Sequence, residues 1–304
     1  MVKVTILGAG VTGMMVAASL PKDYNVTIVA EHLPGDYDTK EWASPYAGAI
    51  WVGVHQSSPR EQKMQLEGLM GLWRLAETNP ESSYAGKVPE FRFLNQEELP
   101  EGAIYGMKYK TIVLTPQKFL TWLYERLKSR GIEFRQTRVY SLADLEGLGH
   151  DVLINASGIG AENLKDVMEK NLTPWRLQCV VAKAPVSYDR LFIRRGDGGY
   201  YSTAFSRLDG TIYVRGVLSE NDRDLSVSEE QRAKNAHNNQ PDVFPSPDPK
   251  DWHILYNHEI VDSQRVIYAY GQNAGGYVYS FSLSHEVVNL TEDYLFELLV
   301  AGKL

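Results

Sequence analysis

The chain has 304 residues, of which 43% are hydrophobic and 23% are charged, a composition typical of one large globular domain or two intertwined ones. Its net charge of −7 argues against a nucleic-acid partner, because binding to phosphates depends on basic side chains. The single cysteine, Cys179, excludes an intrachain disulfide, and the lack of any apolar run of about 18 residues predicts no membrane-spanning helix.

The first thirty residues have the pattern of a βαβ unit. Val2–Leu7 is an apolar, β-branched run, which predicts a buried parallel strand. Met14–Leu20 predicts a helix, and Asn25–Ala30 predicts a second buried strand. A strand, a turn, a helix and a strand within about thirty residues indicate a nucleotide-binding unit of the Rossmann type.

The next part of the chain alternates helices with further strands. The predicted elements are an irregular loop (31–53), two helices (Glu61–Glu77 and Pro116–Arg130) and two strands (Glu133–Val139 and Val152–Asn155). In the first of these helices, Leu66, Met70, Trp73 and Leu75 form an apolar stripe that is expected in the core. The second helix follows a Thr-Pro pair, which is an N-cap and a first-turn proline.

The pattern changes in the second half to strands separated by tight turns. Val180–Val217 predicts antiparallel sheet with a hairpin at Arg207–Gly210, where Arg207 is expected to face solvent. Gln240–Trp252 contains four prolines and predicts a surface loop. Val266–Tyr270 predicts a further buried strand, and a closing helix is expected from Ser280 onward.

The turn after the first strand carries a dinucleotide fingerprint, G-x-G-x-x-G. Gly8 permits the tight turn, Gly10 lets a pyrophosphate approach the backbone, and Gly13 lets the helix pack closely on the strand. The helix N-terminus, with Val11 and Thr12, supplies N–H donors and a partial positive charge. The fingerprint predicts a bound dinucleotide without separating FAD from NAD.

An acidic residue stands where such a site needs one. Glu31 ends the second strand, 23 residues after Gly8, a position from which a carboxylate hydrogen-bonds the adenosine ribose. The same carboxylate disfavours a 2′-phosphate on that ribose.

Several segments, in order along the chain, resemble the signatures of the D-amino-acid oxidase family. These segments are Ser44–Trp51, Leu114–Lys118, Asn155–Gly158 and Tyr270–Tyr277, and Glu31–Asp36 and Phe192–Gly196 resemble the fungal members. The resemblance covers almost the whole chain and implies FAD as the cofactor. It further implies that the α-hydrogen of an amino acid is transferred to flavin N5 as hydride, and that oxygen then regenerates the flavin, giving imino acid and hydrogen peroxide.

The resemblance also implies the fold and the domains. The predicted fold class is α/β plus antiparallel β, with a Rossmann-like FAD-binding domain and an inserted antiparallel-sheet substrate domain. The FAD-binding domain is predicted at residues 1–53, 132–175 and 255–304, and the substrate domain at residues 54–131 and 176–254. Both are discontinuous, because the nucleotide-binding part is made from both ends of the chain.

The resemblance places the residues that contact FAD. It puts residues 43–49 beside the flavin, Val139 at the adenine, and the late glycine turn with its following helix at the isoalloxazine. Besides the fingerprint, the residues expected to bind FAD are Glu31, His32, Ala43, Ser44, Ala47, Gly48, Ala49, Val139, Ser157, Gly158, Gly275, Gly276, Tyr277, Val278 and Ser280.

On the substrate side the sequence departs from the family. The family binds the substrate carboxylate with the arginine of a G-x-R-P segment, because a guanidinium pairs bidentately with a carboxylate. Between Trp252 and Gln264 the chain has neither arginine nor proline. Thr203 and Leu218 stand where the family or its yeast-type members have pocket tyrosines, and Gln272 where many members have histidine.

These departures leave three candidate catalytic or substrate-contacting residues, Tyr201, Arg215 and Gln272. Arg215 replaces a family glycine on a strand position that alternates with Tyr213 and Val217, so it is the candidate for a new cation in the pocket. A surface strand arginine is the competing interpretation.

Two classes of function stay open. The first is an FAD-dependent oxidase of a small-molecule amine or amino-acid-derived substrate, with dioxygen as acceptor. The second is an FAD-bound protein that catalyses a non-redox rearrangement or acts as a binding protein. An NAD-linked dehydrogenase is less favoured, because the chain has only one dinucleotide fingerprint.

Other features predict little beyond this. His253 and His258 are poorly spaced to share an ion, so no metal is predicted. An intracellular location is expected, cytoplasmic or peroxisomal, since Gly302–Leu304 only partly matches a peroxisomal tripeptide. No nucleic-acid or membrane partner is expected, and a homodimer stays open.

Overall fold

The computed structural model describes most of the chain. The described residues are 1–39, 41–54, 57–80, 85–88, 92–93, 95–99, 107–108, 111–170, 172, 174–183, 192–195, 201–220, 223, 253–256, 260–261, 267, 269–270 and 275–300. Outside them lie Gln240–Trp252, His258, Gln272, Gly302–Leu304 and the side chains of Tyr201, Arg215 and Leu218.

The four predicted helices are present in the described part of the chain, whereas the strands between Ala85 and Leu114 were not predicted. The helices are α1 (Val11–Ser19), α2 (Pro59–Thr78), α3 (Pro116–Ser129) and α4 (Ser280–Val300). The strands are β1 (Lys3–Leu7), β2 (Asn25–Ala30), β3 (Ala85–Val88), β4 (Arg92–Phe93), β5 (Met107–Lys108), β6 (Thr111–Leu114), β7 (Glu133–Gln136), β8 (Val152–Asn155), β9 (Pro174–Lys183), β10 (Phe192–Arg195), β11 (Tyr201–Ser206), β12 (Thr211–Glu220), β13 (His253–Tyr256) and β14 (Ile260–Val261). Short 3-10 helices lie at Ser44–Tyr46, Gln96–Glu98, Leu142–Leu148 and Gly158–Asn163. In the described part of the chain, no helix is long and apolar enough to cross a membrane.

The first sheet is parallel and holds the cofactor turn. Its order is β7-β2-β1-β8, with Ile6 opposite both Ile28 and Ile154. All three isoleucines are fully buried, as expected for strands that are covered on both faces. No strand is assigned to the described residues of Val266–Tyr270, although Ile267 and Ala269 exchange backbone hydrogen bonds with Asn155 at the end of β8.

The second sheet is antiparallel, with the order β10-β11-β12-β9-β13, and β14 also pairs with β9. The predicted hairpin joins β11 to β12, and Gly210 supplies its left-handed residue at φ +79°. One face packs Phe205, Tyr213 and Cys179 against Val113. The parallel sheet with helices and the antiparallel sheet together confirm the predicted fold class.

The prediction for the buried face of α2 is confirmed for Trp73 and Leu75, which pack against the core, and is wrong for Leu66 and Met70. Leu66 and Met70 are 55% and 65% exposed, whereas the buried residues of the helix are Gln65, Gly68, Leu72 and Ala76. The helix buries the face that carries Gly68, because its backbone there comes very close to the residues just before α4. A β-carbon on Gly68 would lie 1.8 Å from the carbonyl oxygen of Val278. Apolar periodicity alone does not detect a face that is built from glycine and glutamine.

This contact predicts an unusual effect of a helix substitution. A mid-helix glycine normally costs about 0.5–1 kcal/mol relative to alanine. We expect Gly68→Ala to do the opposite and to lower the free energy of unfolding by about 1–3 kcal/mol, because the added methyl group meets backbone. Urea denaturation measures the change. The control is Gly147→Ala, where the added carbon meets nothing within 4 Å, and an equal loss in both variants would contradict the prediction.

The helices α2 and α3 belong to the same core as the parallel sheet. Leu72 of α2 and Phe119, Leu120 and Leu127 of α3 are buried in one cluster with Met14 of α1. The division of the chain into two discontinuous domains stays a prediction.

Candidate cofactor site

The three fingerprint glycines lie in different surroundings. Gly8 has φ +112°, and a β-carbon there would lie 2.3 Å from the carbonyl oxygen of Ala156. A β-carbon on Gly13 would lie 2.1 Å from the carbonyl oxygen of Gly8. A β-carbon on Gly10 would have a side-chain atom as its nearest neighbour, the Ser44 hydroxyl oxygen at 2.9 Å. Chain packing therefore requires glycine at positions 8 and 13, whereas position 10 leaves the backbone open to an approaching group.

Ser44 joins three distant parts of the chain at the start of α1. Its hydroxyl accepts a hydrogen bond from the backbone N–H of Val11 at 3.0 Å, one residue before the half-buried Thr12. Its carbonyl oxygen accepts the hydroxyl of Tyr277, from the late glycine turn, at 2.9 Å. The fingerprint, the loop predicted to lie beside the flavin and the late turn thus meet in space.

Glu31 and Val139 lie together at the predicted adenosine end. The Glu31 carboxylate is 3.2 Å from the Arg138 guanidinium, at the carboxyl end of β2. Val139 packs against the cluster that contains Leu7 and Val29, which lie at the carboxyl ends of the two central strands. In an open parallel sheet, ligands bind outside these strand ends.

His32 is held by two carboxylates. Its Nδ1 atom is 2.9 Å from Asp36, and its Nε2 atom is 3.2 Å from Glu41. Glu31, His32 and Glu41 form the one group of three described side chains whose ligand atoms all lie within 4.8 Å of one another. Both ring nitrogens of His32 are already engaged, and exposed acidic groups of this kind are common without an ion, so we assign no metal to it.

Residues 43–51, which we call the cofactor loop, are held at several points. The hydroxyl of Tyr46 donates to the carbonyl oxygen of Tyr37 at 2.7 Å, and Ala43 accepts the Tyr46 N–H at 3.1 Å. Ala49 exchanges backbone hydrogen bonds with Leu114 of β6. Burial raises the pKa of Tyr37, whose hydroxyl donates to the Gln117 carbonyl oxygen at 2.9 Å. The loop is therefore fixed against both β6 and α3.

Arg207 contacts the same loop, and the prediction that it faces solvent is wrong. The residue is 4% exposed, and its guanidinium donates to the carbonyl oxygens of Ala47 and Gly48. The hairpin turns the side chain back toward the loop, where it lies over the ring of Tyr213. The sequence pattern around Arg207 does not distinguish a buried arginine from one at the surface.

The late turn is packed against α2 through a residue that the sequence did not reveal. Gln65 is 5% exposed and donates to the hydroxyl of Tyr279 at 3.0 Å, while its Oε1 atom accepts the Val54 N–H at 2.8 Å. A β-carbon on Gly275 would lie 2.5 Å from the Tyr279 ring. Gly276 is half-buried, Val278 is buried, and Ser280 is also buried, where it donates to the Tyr277 carbonyl oxygen at 2.9 Å.

Three polar side-chain atoms close to the ends of strands are buried and unpaired within the described part of the chain. The Asn155 Nδ2, Ser157 Oγ and Thr115 Oγ1 atoms have no hydrogen-bond partner among the described residues. Ser157 is the second residue after β8, and Gly158 beside it has φ +60°. Buried polar groups usually have partners, so the Asn155 and Ser157 atoms, at the end of β8, fit a polar ligand with acceptor atoms. With the open backbone at Gly10, the residues fit a dinucleotide.

A family profile described as FAD dependent oxidoreductase matches residues 79–290, which is more than half of the chain. The chain belongs to this family. FAD is its cofactor.

Curated relatives and solved structures agree with the family. D-amino-acid oxidase from Fusarium vanettenii is 24% identical, covering 95% of this chain and 96% of the relative. D-aspartate oxidase from Talaromyces thermophilus is 24% identical, covering 99% of each. The structure of glycine oxidase from Geobacillus kaustophilus has a TM-score of 0.70 at 17% identity, covering 96% of this chain and 95% of that one, and shows the same fold.

Tyr201, Thr203 and Arg215, which are predicted at the substrate site, lie in the antiparallel sheet. Thr203 of β11 pairs with Arg215 of β12, which in turn pairs with Cys179 of β9. Thr203 and Cys179 are 3% and 0% exposed, and the Thr203 hydroxyl has no hydrogen-bond partner within the described residues. The register shifts between Arg215 and Val217, so the predicted alternation of these two residues is interrupted by an irregularity.

Proposed function

We propose that this FAD-dependent oxidoreductase is an oxidase of amines or amino acids whose substrate differs from simple D-amino acids. Bound FAD would supply the two-electron acceptor for this reaction: the substrate carbon would lose its α-hydrogen as hydride and the amine nitrogen would lose a proton, giving an imine, and dioxygen would take up both hydrogens and both electrons as hydrogen peroxide. The D-amino-acid and D-aspartate oxidases among the relatives support a small amine or amino-acid substrate.

The observation that carries the proposal is Thr203. The family resemblance expects a pocket tyrosine at this position, and the chain places a buried threonine there whose hydroxyl is unpartnered among the described residues. A threonine fills less space than a tyrosine and leaves a polar atom for a ligand to contact. The cofactor side keeps the glycines and the acid of the family, so the differences concentrate where the substrate binds.

A cation for this site is proposed at Arg215. Its backbone lies in one row with Thr203 and Cys179, whose side chains are buried, and residues opposite each other in a sheet share a face. The neighbouring register shift resembles the bulges that often stand next to active sites. β12 pairs with one edge of β9, whereas β13 and β14, which lie in the segment that lacks the family arginine, pair with the other. An anion at Arg215 would therefore lie at a different place from the usual carboxylate.

Substitution of Arg215 tests this role. Arg215→Met keeps an apolar stem of similar length and removes the charge, so we expect loss of binding of small carboxylates with FAD content unchanged. The change in the flavin absorption spectrum on adding aliphatic and aromatic carboxylates reports the binding. The control is Arg223→Met, which removes an exposed arginine paired with Glu162 at 2.8 Å. Equal carboxylate binding by the wild type and Arg215→Met would contradict the role and would leave Arg215 as a surface residue.

The proposed activity is tested by peroxide release from the FAD-loaded protein. A panel of primary and secondary amines, with and without acidic groups, is incubated in air with the wild type. We expect hydrogen peroxide and a carbonyl product, formed by hydrolysis of the imine, in equal amounts from at least one member. Peroxide from none of them would favour a protein that uses FAD without oxidase turnover.

A further inference from the structure

Arg207 stands at a junction between the two sheets of the molecule. It directly follows β11, and its backbone closes the hairpin, since its N–H donates to the Thr211 carbonyl oxygen at 2.7 Å and its own carbonyl oxygen accepts the Gly210 N–H at 3.2 Å. Its side chain leaves the hairpin and reaches the cofactor loop. A residue of the antiparallel sheet thus contacts the segment that lies against the start of α1.

The guanidinium binds main-chain oxygens in the loop. The Nε atom donates to the Gly48 carbonyl oxygen at 2.8 Å, and the Nη2 atom donates to the Ala47 carbonyl oxygen at 3.1 Å and also to that of Gly48. Hydrogen bonds from a charged donor are stronger than neutral ones, and the planar fork fixes their direction. Two consecutive peptide groups are therefore held in one orientation.

The arginine is itself held in place by the aromatic face of the sheet. Its guanidinium carbon lies 5.0 Å from the centroid of the Tyr213 ring, and Tyr213 packs on Phe205 with a centroid distance of 5.1 Å. Phe205 also covers the loop, because a β-carbon on Gly48 would lie 3.3 Å from its ring. Gly48 is thus enclosed by Phe205 and Arg207, and a rigid group, rather than a mobile surface side chain, fixes the loop.

The cofactor loop contacts the fingerprint turn through Ser44, which lies four residues before Gly48. The hydroxyl oxygen of Ser44 accepts a hydrogen bond from the Val11 N–H, and it is also the atom nearest to a β-carbon added on Gly10. Any shift of Ala47 and Gly48 is transmitted along this short stretch to the place where the pyrophosphate approaches. From this geometry we infer that Arg207 is a positioning residue for FAD: it couples the antiparallel sheet to the cofactor loop and sets the loop in the shape that binds the cofactor. The inference concerns cofactor binding and goes beyond the proposed oxidase activity.

The test compares variants of Arg207 without any substrate. Arg207→Met keeps the stem over Tyr213 and removes the donors to both carbonyl oxygens. We expect the Kd for FAD to rise at least about tenfold, because a hydrogen bond to a charged group corresponds to roughly one to two factors of ten. Titration of the apoprotein with FAD measures the Kd. Arg223→Met, at an exposed ion pair, is the matched control and should stay within twofold of the wild type.

Hydrogen exchange of the FAD-loaded protein separates positioning from a general structural role. The Ala49 and Trp51 amides, which donate to Leu114 and Ile112, should exchange faster in Arg207→Met, while the strands of residues 201–214 keep their protection. Equal loss of protection in both regions would overturn the inference, because the arginine would then only maintain the sheet. An FAD Kd within twofold of the wild type would overturn it as well.

Arg207→Lys covers the case in which the methionine variant does not fold. It keeps the charge but lacks the planar fork, so it should bind FAD at least about threefold more weakly than the wild type. Unchanged affinity in Arg207→Lys would contradict a role that depends on the fork. None of these measurements requires turnover, so they can fail while the oxidase proposal stands, and the reverse also holds.

Discussion

Replacing Gly10 with valine is expected to abolish FAD binding while the chain stays folded. The backbone of Gly10 is extended, with φ −70° and ψ 176°, so a β-branched residue is tolerated there. The nearest atom to its new β-carbon is a side-chain oxygen, that of Ser44, which can rotate away. We expect the added methyl groups instead to fill the space through which the pyrophosphate is predicted to reach the helix N-terminus. Visible absorption after adding excess FAD measures binding, and circular dichroism measures folding.

Two other glycines provide the controls for this result. Gly147→Val adds the same side chain in open space and should bind FAD as the wild type does. Gly13→Val places a carbon 2.1 Å from a backbone oxygen and should lose the fold together with the cofactor. A yellow Gly10→Val protein with wild-type affinity for FAD would show that the pyrophosphate does not approach at this turn.

D-Alanine is expected to bind weakly and to be oxidised slowly or not at all. The segment between Trp252 and Gln264 lacks the arginine with which the family resemblance implies carboxylate binding. Removing one partner of a buried charge pair costs about 2–5 kcal/mol, which corresponds to about thirty- to several-thousand-fold weaker binding. Steady-state peroxide formation by the FAD-loaded protein measures the effect.

The matched substrate for this assay is ethylamine, which is D-alanine without its carboxylate. Because the cation proposed at Arg215 lies away from the usual carboxylate position, the α-carboxylate of D-alanine should gain little from it, and the two amines should have kcat/KM values within a few-fold of each other. Turnover of D-alanine with a millimolar KM, and with a kcat/KM far above that of ethylamine, would contradict this prediction. It would mean that another group of this chain holds the α-carboxylate.

The cofactor half of the fold could be predicted because its signals are local. The buried strands β1 and β2 and the glycines between them lie within thirty residues, and at Gly8 and Gly13 neighbouring backbone leaves no room for a side chain. The helix begins at Val11 rather than at the predicted Met14, because the N-cap is Gly10 itself. This difference shifts a boundary and leaves the site unchanged.

The contacts that hold the site could not be predicted, because they join residues far apart in the sequence. Gln65 and Tyr279 are 214 residues apart, and Arg207 and Gly48 are 159 apart. A hairpin arginine and a helix glutamine are usually exposed, so composition and periodicity both favour the surface for them. Periodicity also fails for Leu66, an apolar residue at helical spacing that was predicted in the core and is exposed.

The proposed function requires that FAD bound to this chain be reduced by an amine other than a simple D-amino acid. The most direct measurement is the absorption spectrum of the FAD-loaded protein, recorded without oxygen before and after mixing with D-alanine and with each member of the amine panel. We predict a two-band flavin spectrum that D-alanine leaves unchanged and that at least one amine with an additional acidic group bleaches. A spectrum that no amine bleaches, or one that D-alanine bleaches as fast as any other amine, would contradict the claim.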